Sequence, residues 1–402
     1  MWNVIRRATL IGLGVVVAIV VAELGVRLAG PRLASPAARL PLDIPPAMVD
    51  RFATGQLRLK LDFDLGWRPT PGYDGVDPGR AGVRYRHNRD GLRADRDSTA
   101  TLRAGLRRMS AYGDSFTYCN EVNFEDCWTH RLERLLPSTE VLNFGVSGYG
   151  PDQAWLRYQR GGASWQPCAV LIGHMPENIN RVVNRFRPFY APETSSSVPE
   201  ASLSMPKPRF VMDGDRPKLL PIPTRDVRDL EDPGWVEANL GPYDAWYFPG
   251  TLVANPLDRL QSVRLVRTAV YRKESEALFQ RTLRYLPGTE AFDVLTAVMT
   301  DFAGGVRAAG ATPVVLVLPD LSAILAQRDK EPKRHAALLE ALAQRGIATI
   351  DLTNALGRAA RRSAPPGLTE PGGHYSPRGN AVVARALAER LPRLTSATCG
   401  AG

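Results

Sequence analysis

From Met109 onward, short apolar runs alternate with amphipathic helical segments, and this alternation restricts the possible folds more than any other feature of the chain. Apolar runs of about four to eight residues between helical patterns are typical of buried strands joined by crossover helices. The pattern predicts an α/β fold, a three-layer α/β/α sandwich around a central parallel sheet. The predicted strands are RMSAYGDS, TEVLNFG, CAVLIG, TPVVLVLP and IATIDLT, and predicted helices include Phe292–Ala309, Lys333–Arg345 and Pro377–Leu391.

The N-terminus carries a long apolar run. Arg6 and Arg7 precede an uncharged stretch from Ala8 to Ala22. A signal-peptide core has about 7–15 apolar residues, whereas a membrane-spanning helix needs about 20. Counting to Leu28 reaches that length if Glu23 and Arg27 extend into the interface, and no small-residue cleavage site follows. We therefore expect an uncleaved transmembrane anchor, with a removed signal peptide as the alternative.

The anchor sets the predicted organisation of the chain. Residues 1–30 form the anchor, residues 31–46 are a linker rich in Pro and Ala, and residues 47–400 form one domain. Inside this domain the alternation stops at about 187–275, which we interpret as a cap-like insert over the sheet. Aromatic side chains of the insert suit either sugar stacking or ordinary packing: Trp235, Trp246 and Tyr247.

Composition narrows the class of protein. The chain has 402 residues and a net charge of +10, but its arginines are scattered and no nucleic-acid-binding motif accompanies them, so we expect no nucleic-acid partner. The sequence contains no G-x-G-x-x-G, Walker, H-E-x-x-H or C-x-x-C motif. We therefore expect no cofactor and no metal site. Four cysteines allow disulfides in an oxidising compartment, and one candidate pair is Cys119 with Cys127.

Polar residues follow several of the predicted strands. Ser115 follows the first strand in YGDSF, Gly145 and Gly148 follow the second in NFGVSGYG, and Asn178 follows the third in LIGHMPENIN. His374 lies in GGHYSPRGN, directly before the last helix. Because the carboxyl ends of parallel strands gather functional groups at one edge of the sheet, these residues are expected to lie together.

A serine, a glycine, an asparagine and a histidine in this order resemble the GDSL or SGNH hydrolase superfamily, whose fold is flavodoxin-like. The resemblance covers roughly Met109 to Leu391 and implies a nucleophile at Ser115 and a general base at His374. It also implies an oxyanion hole that includes Gly148 and Asn178, and Asn180 is a second candidate for the asparagine. The stretches AELGVRL, LGWRPTPG and NRDGLR are similar to membrane-anchored bacterial members, some of them encoded with polysaccharide machinery.

The acid that would orient His374 departs from the superfamily pattern. The superfamily has Asp-x-x-His, whereas Pro371 stands three residues before His374 in this chain. Three substitutes remain open: Glu370, one residue out of register; Asp351, at the end of a predicted strand; or a backbone carbonyl. Glu370 is the first choice among them.

The resemblance implies a serine esterase or deacylase that forms an acyl-Ser115 intermediate. Its substrate is expected to be an acylated small molecule or glycan, including O-acetyl glycans. Two alternatives stay open: an O-acyltransferase that modifies a cell-surface or exported polysaccharide, and a non-catalytic carbohydrate-binding relative. With Arg6 and Arg7 in the cytoplasm, the protein is expected to be a single-pass protein of the bacterial inner membrane with a periplasmic catalytic domain.

Overall fold

The computed structural model describes most of the chain, namely residues 2–33, 40–42, 46–77, 79–80, 82–191, 206–361 and 367–400. Strands in these residues are β1 Leu59–Asp62, β2 Gly66–Pro69, β3 Asp74–Val76, β4 Arg84–Arg86, β5 Arg107–Tyr112, β6 Thr139–Asn143, β7 Ala169–His174, β8 Arg209–Asp213, β9 Arg216–Leu220, β10 Thr312–Val317 and β11 Ala348–Asp351. The α-helices there are α1 Trp2–Leu33, α2 Pro46–Ala53, α3 Ser115–Tyr118, α4 Trp128–Leu135, α5 Pro151–Gln159, α6 Arg187–Tyr190, α7 Pro233–Leu240, α8 Gln261–Thr282, α9 Glu290–Ala308, α10 Leu321–Arg328, α11 Ala336–Gln344, α12 Thr353–Arg361 and α13 Pro377–Cys399.

The central sheet is parallel throughout its described strands and has the order β11-β10-β7-β5-β6. The chain therefore moves from β5 outward to β6 and then returns to the other side of β5 to form β7. Crevices outside the carboxyl ends of the strands at such a reversal are the usual ligand sites of open α/β sheets. All five strands occur where the apolar runs predicted them, and the predicted α/β class is confirmed.

The strands bury both faces, and alternate residues serve different cores. Met109, Val141 and Leu171 face a core that includes helices α4, α12 and α13. Tyr112 and Ile172 face the opposite core, which includes α5, α9 and α11. Two helical layers therefore enclose the sheet, and this is the predicted three-layer sandwich.

The segment before β5 adds two antiparallel hairpins, β1–β2 and β3–β4. Their side chains reach the carboxyl edge of the sheet: Trp67 Nε1 donates to the Ser147 carbonyl over 2.9 Å, and His87 Nε2 lies 2.8 Å from the Tyr118 hydroxyl. The segment that carries the hairpins thus contacts the loop after β6 and helix α3.

The described residues of the predicted insert, 187–191 and 206–275, include α6, the β8–β9 hairpin, α7 and the first part of α8. Their apolar side chains are part of the core beside α9, so this insert is packed into the domain. Trp246 is 1% exposed and its Nε1 donates to the Asn180 carbonyl over 3.0 Å. Burial of its ring favours the packing interpretation of Trp246 over sugar stacking.

Helix α1 runs to Leu33, beyond the predicted end of the anchor at residue 30. Its segment Ile5–Leu28 is long and apolar enough to cross a membrane by length and composition, a test that a signal sequence also passes. Residues 34–39 and 43–45 of the predicted linker lie outside the described residues.

Cys168 and Cys399 form a disulfide that joins the start of β7 to the end of α13. Cys119 and Cys127 are free, buried thiols, so the candidate pairing between them is wrong. The pair that forms links residues 231 positions apart, and only the packing of α13 across the sheet brings the two sulfurs together.

Candidate active site

Ser115 lies in a tight turn at the carboxyl end of β5. Gly113 has φ 151°, and a Cβ there would lie 2.3 Å from Thr117 Oγ1, so only glycine fits. Asp114 Oδ1 accepts a 2.9 Å hydrogen bond from the Phe116 N–H and caps the single turn of α3. This turn directs Ser115 out of the sheet edge while leaving it 7% exposed.

The Ser115 hydroxyl is hydrogen-bonded to a histidine. His374 Nε2 lies 2.8 Å from Ser115 Oγ, although the two residues are 259 positions apart. On the other side of the ring, His374 Nδ1 lies 2.8 Å from Glu121 Oε2. The ring of Phe116 packs 5.1 Å from the imidazole. The arrangement has the geometry of a serine–histidine–carboxylate triad, in which each member orients the next.

Glu121 is held from several directions. Its two carboxylate oxygens accept hydrogen bonds from the backbone N–H groups of Gly372 and His374, over 2.9 and 3.1 Å. Arg80 Nη1 donates to its Oε1 over 3.0 Å. The backbone of Glu121 has φ 68°, and its N–H donates to the Tyr85 hydroxyl over 2.8 Å. An unusual backbone conformation fixed by contacts on both sides is typical of a functional position.

These contacts decide the charge of Glu121. Burial raises the pKa of its carboxyl, but the hydrogen bonds from the His374 ring and backbone and from the Gly372 N–H outweigh burial. Its net pKa is therefore below the ordinary glutamate value. At neutral pH the residue is a carboxylate, which is the form that can stabilise a positively charged imidazole.

Glu370, the first choice for the orienting acid, lies elsewhere. Its carboxylate forms an ion pair with Arg80, and its backbone N–H donates to the His374 carbonyl over 2.7 Å. The backbones of Glu370 and His374 are hydrogen-bonded across a turn. Nδ1 of the His374 ring is bonded to Glu121 instead. The structure thus corrects the expectation: Glu121, not Glu370, bonds Nδ1 of the imidazole.

Asp351 serves a separate cluster at the end of β11. Its Oδ2 lies 2.6 Å from Lys333 Nζ and 3.3 Å from His335 Nε2. Burial raises its pKa, but the hydrogen bonds from His335, Lys333 and Thr353 leave it well below the ordinary aspartate value. The third alternative, a backbone carbonyl on Nδ1, is also displaced by Glu121.

Two glycines after β6 have different positions. A Cβ on Gly145 would lie 2.4 Å from the Tyr118 nitrogen, so this glycine allows close packing. Gly148 has φ 83° and lies against the indole of Trp67. Among the hydrogen bonds of the described residues, neither the Ser115 nor the Gly148 backbone N–H donates to a protein acceptor. Both N–H groups are thus available to an oxygen of a bound substrate.

Asn178 lies directly beside the turn formed by Asp114 and Ser115. Its Nδ2 donates to Asp114 Oδ2 over 2.8 Å, and the side chain is 1% exposed. An amide nitrogen carries two hydrogens, so the second remains for another acceptor. Asn180 is fully buried, and its backbone carbonyl accepts a hydrogen bond from the indole Nε1 of Trp246. Of the two asparagines, Asn178 is therefore the one that contacts the Asp114–Ser115 turn.

The sequence motifs gave no site role to several residues of this region, although Trp67 lies in the LGWRPTPG stretch. Glu121 lies six positions after Ser115, outside the serine motif, and Arg80 and Trp67 precede the predicted sheet. Ser147, whose surroundings come close to a G-x-S-x-G motif, donates to Asn120 Oδ1 over 2.7 Å instead of to a histidine. No group of three or more metal-ligating side chains is found among the described residues.

Comparisons with known proteins bear on this geometry. No protein-family model and no curated protein matches the sequence. The chain is similar to a two-domain esterase active on acetylated mannans, at 10% identity and TM-score 0.35, over 73% of this chain and 51% of that one. It is also similar to a G-D-S-L lipolytic protein from Veillonella parvula, at 11% identity and TM-score 0.35, over 72% of this chain and 100% of that one. A third similar structure is a catalytic variant of an acetylxylan esterase from Geobacillus stearothermophilus, at 13% identity and TM-score 0.36, over 73% of this chain and 96% of that one.

These three solved structures are described as a G-D-S-L lipolytic protein and two esterases of acetylated glycans. The identities are below 25% and the TM-scores below 0.5. The activity of this chain must therefore be inferred from the geometry of its own side chains.

Proposed function

We propose that this protein is a serine esterase or deacylase of SGNH type. The observation that carries the proposal is the hydrogen-bonded relay from Ser115 Oγ through the His374 ring to Glu121. A hydroxyl within 2.8 Å of an imidazole whose other nitrogen bonds a carboxylate is equipped for nucleophilic attack. The relay also weighs against the non-catalytic alternative. The aspartate missing from the sequence motif has a counterpart in Glu121, whose carboxylate bonds the His374 ring.

The reaction begins when Ser115 Oγ attacks the carbonyl carbon of an ester and its proton passes to His374 Nε2. Glu121 stays ionised and stabilises the imidazolium that forms. Collapse of the tetrahedral intermediate breaks the bond to the alcohol oxygen, which takes the proton from His374. Water then attacks the acyl-Ser115 ester with His374 as base, and the carboxylic acid leaves as the serine is restored.

The negative oxygen of the tetrahedral intermediate needs donors. The backbone N–H groups of Ser115 and Gly148 and the second hydrogen of Asn178 Nδ2 are the candidates for this oxyanion hole. Loss of one such donor costs about 2.7–4 kcal/mol of transition-state stabilisation. Trp67 supports the arrangement, since it packs on Gly148 and bonds the Ser147 carbonyl.

The proposal extends to the cellular location of the protein and to its substrate. We propose that α1 anchors the protein in the bacterial inner membrane with the catalytic domain in the periplasm, where it removes acyl groups, including O-acetyl groups, from glycans. The Cys168–Cys399 disulfide supports this placement, because disulfides persist in oxidising compartments. The match of the apolar segment Ile5–Leu28 to a membrane span supports the anchor.

A serine-directed fluorophosphonate tests the chemistry. The full-length protein should be labelled, peptide mapping should find the adduct on Ser115, and Ser115→Ala should abolish it. Ser147→Ala, at the other candidate serine, is the matched control and should keep the label. A native protein that does not react would refute the esterase. A second assay then compares release of the acyl group to water with its transfer to an added oligosaccharide. Release to water indicates an esterase, and transfer indicates the O-acyltransferase alternative.

Location has its own test. After alkaline carbonate extraction the full-length protein should stay with the membranes, and protease added outside the cytoplasm should digest the catalytic domain. A soluble mature chain beginning after residue 30 would instead identify the first segment as a signal peptide.

A further inference from the structure

Exposed apolar side chains are concentrated in the N-terminal half of α8 and in the segment directly before it. Outside α1, eleven large apolar side chains of the described residues are exposed, and five of them fall between residues 253 and 270. These five are Val253, Leu257, Leu265, Val266 and Val270. Single exposed apolar residues are common on proteins, but such a concentration indicates a surface that contacts something apolar.

The same part of α8 is joined to α1. Glu23, in the apolar helix, is buried, and its carboxylate accepts the backbone N–H groups of Gln261 and Ser262 over 3.0 and 2.9 Å. The Ser262 hydroxyl donates to it over 2.9 Å. A carboxylate at the first N–H groups of a long helix caps those donors and is favoured by the helix dipole. Helix α8 therefore begins where α1 meets the domain.

The position of Glu23 along α1 gives its depth in a membrane. Glu23 follows Arg7 by sixteen residues, which is about 24 Å along an α-helix. The hydrocarbon core of a bilayer is about 30 Å thick, and arginine side chains reach outward to one interface. If Arg6 and Arg7 lie at the inner interface, then Glu23, Gln261 and Ser262 lie close to the outer one.

The large exposed apolar side chains of α8 are confined to the first half of the helix. Val266 and Val270 are four positions apart and lie one above the other on the helix, and Leu265 lies next to Val266, so the three side chains fall within an arc of about 140° around the helix axis. One turn later the exposed residues become charged, with Arg272, Lys273 and Glu274. Apolar side chains followed by charged ones that include Arg272 and Lys273 are the pattern of a helix that enters the interface and meets anionic headgroups at its edge.

We propose that the N-terminal half of α8 lies in the interfacial layer of the membrane that α1 crosses, with Leu265, Val266 and Val270 among the lipids. The inference rests on the proposed anchor. Two contacts with the bilayer, one through α1 and one through α8, would fix the orientation of the catalytic domain. Ser115 would then be held at a constant height above the membrane, within reach of substrates presented at or near its surface.

Site-specific fluorescence in vesicles tests the proposal. The full-length protein is reconstituted into phosphatidylcholine vesicles containing phosphatidylglycerol, with an NBD probe on a Val270→Cys variant. The matched control is Val76→Cys on β3, because the two valines are 55% and 53% exposed. Unsubstituted protein, whose free cysteines are buried, gives the labelling background. Fluorophosphonate labelling of Ser115 checks that each variant is folded.

The expected result is that the probe at position 270 is blue-shifted, loses quenching by aqueous iodide and is quenched by lipids brominated near the headgroup. The probe at position 76 should show strong iodide quenching. Equal iodide quenching at both positions would overturn the inference. So would a probe at position 270 that is shielded from iodide and from lipid, because a second protein or a second copy would then cover the face.

A probe on a Val16→Cys variant in α1 separates this inference from the anchor. Quenching of that probe by lipids brominated deep in the acyl chain, together with a water-exposed probe at 270, would leave the anchor intact and refute only the contact through α8. A water-exposed probe at position 16 would refute both.

Discussion

His374 Nδ1 lies 2.8 Å from Oε2 of Glu121, a residue 253 positions earlier in the chain. The same carboxylate accepts the His374 backbone N–H. One residue thus fixes both the main chain and the ring of the histidine. Rotation of the imidazole away from Ser115 would break the ring contact, so Glu121 defines the tautomer and direction of His374.

The first prediction concerns this carboxylate. Glu121→Gln should lower kcat by about 10³–10⁴, as loss of the orienting carboxylate does in serine proteases. The amide presents a donor to Nδ1 and favours the wrong tautomer. The measurement is the steady-state hydrolysis of an aryl acetate, with the melting temperature recorded for each variant.

Glu370→Gln is the matched control. Glu370 also pairs with Arg80, but it does not bond the imidazole ring. We expect its kcat to fall by less than about tenfold, or roughly 1.4 kcal/mol. If the effects of the two substitutions were reversed, Glu370 would be the orienting acid in solution.

The second prediction separates the two asparagines after β7. Asn178→Ala should lower kcat by about 10²–10³ with little change in KM, because an oxyanion donor acts in the transition state. Asn180→Ala removes a buried side-chain amide but keeps the backbone carbonyl that accepts from Trp246 Nε1, so it should act through packing on stability and leave kcat within about tenfold. Equal losses of kcat would contradict the assignment of Asn178.

The third prediction is a pH dependence of stability. The pKa of Glu121 is lowered in the folded protein. Its stabilising contribution is therefore present above the unfolded glutamate pKa of about 4.3 and is lost as the pH falls through the folded value. Arg80 donates to this carboxylate, and loss of its charge should raise the pKa of Glu121 and shrink that contribution.

Arg80→Gln should therefore lower the free energy of unfolding by about 1 kcal/mol at neutral pH, a modest value because the pair is partly exposed. The difference between the native protein and the variant should diminish as the pH falls from about 4.3 through the lowered folded pKa of Glu121. Melting temperatures across this range give the result. A difference that stays constant with pH would mean that Arg80 acts through packing alone.

The fourth prediction concerns the disulfide. Replacing both Cys168 and Cys399 with serine should lower the free energy of unfolding by about 2–4 kcal/mol, since the crosslink closes a very long loop in the unfolded chain. Urea unfolding measures the change. Non-reducing peptide mapping should recover Cys119 and Cys127 as free thiols; a bond between those two would contradict the structure.

Local sequence was enough to predict the sheet and two members of the relay. Each central strand is a short apolar run whose burial on both faces requires continuous hydrophobicity, so strands such as Ala169–His174 can be recognised without knowing their neighbours. Ser115 and His374 were predicted because each follows a strand or precedes a helix inside a recognisable motif. These are properties of a few adjacent residues.

The orienting acid is a different kind of property. The motif drew attention to Glu370 because of its nearness in sequence to His374, yet that carboxylate pairs with Arg80. Glu121 reaches the ring because the chain after α3 turns back through a residue with φ 68° and meets the His374 loop from the other side. Contacts between segments hundreds of residues apart have no local pattern, since they depend on how the layers pack.

The sequence by itself determined the α/β class, the strand positions, the apolar N-terminal helix and the serine and histidine, because periodicity and short motifs encode them locally. Only the tertiary structure decided that Glu121 completes the relay, that Cys168 bonds Cys399 and that Glu23 caps α8. Each of these pairs is distant in sequence, and its members meet only when the folded chain closes the loop between them and packing offsets the entropy of that closure.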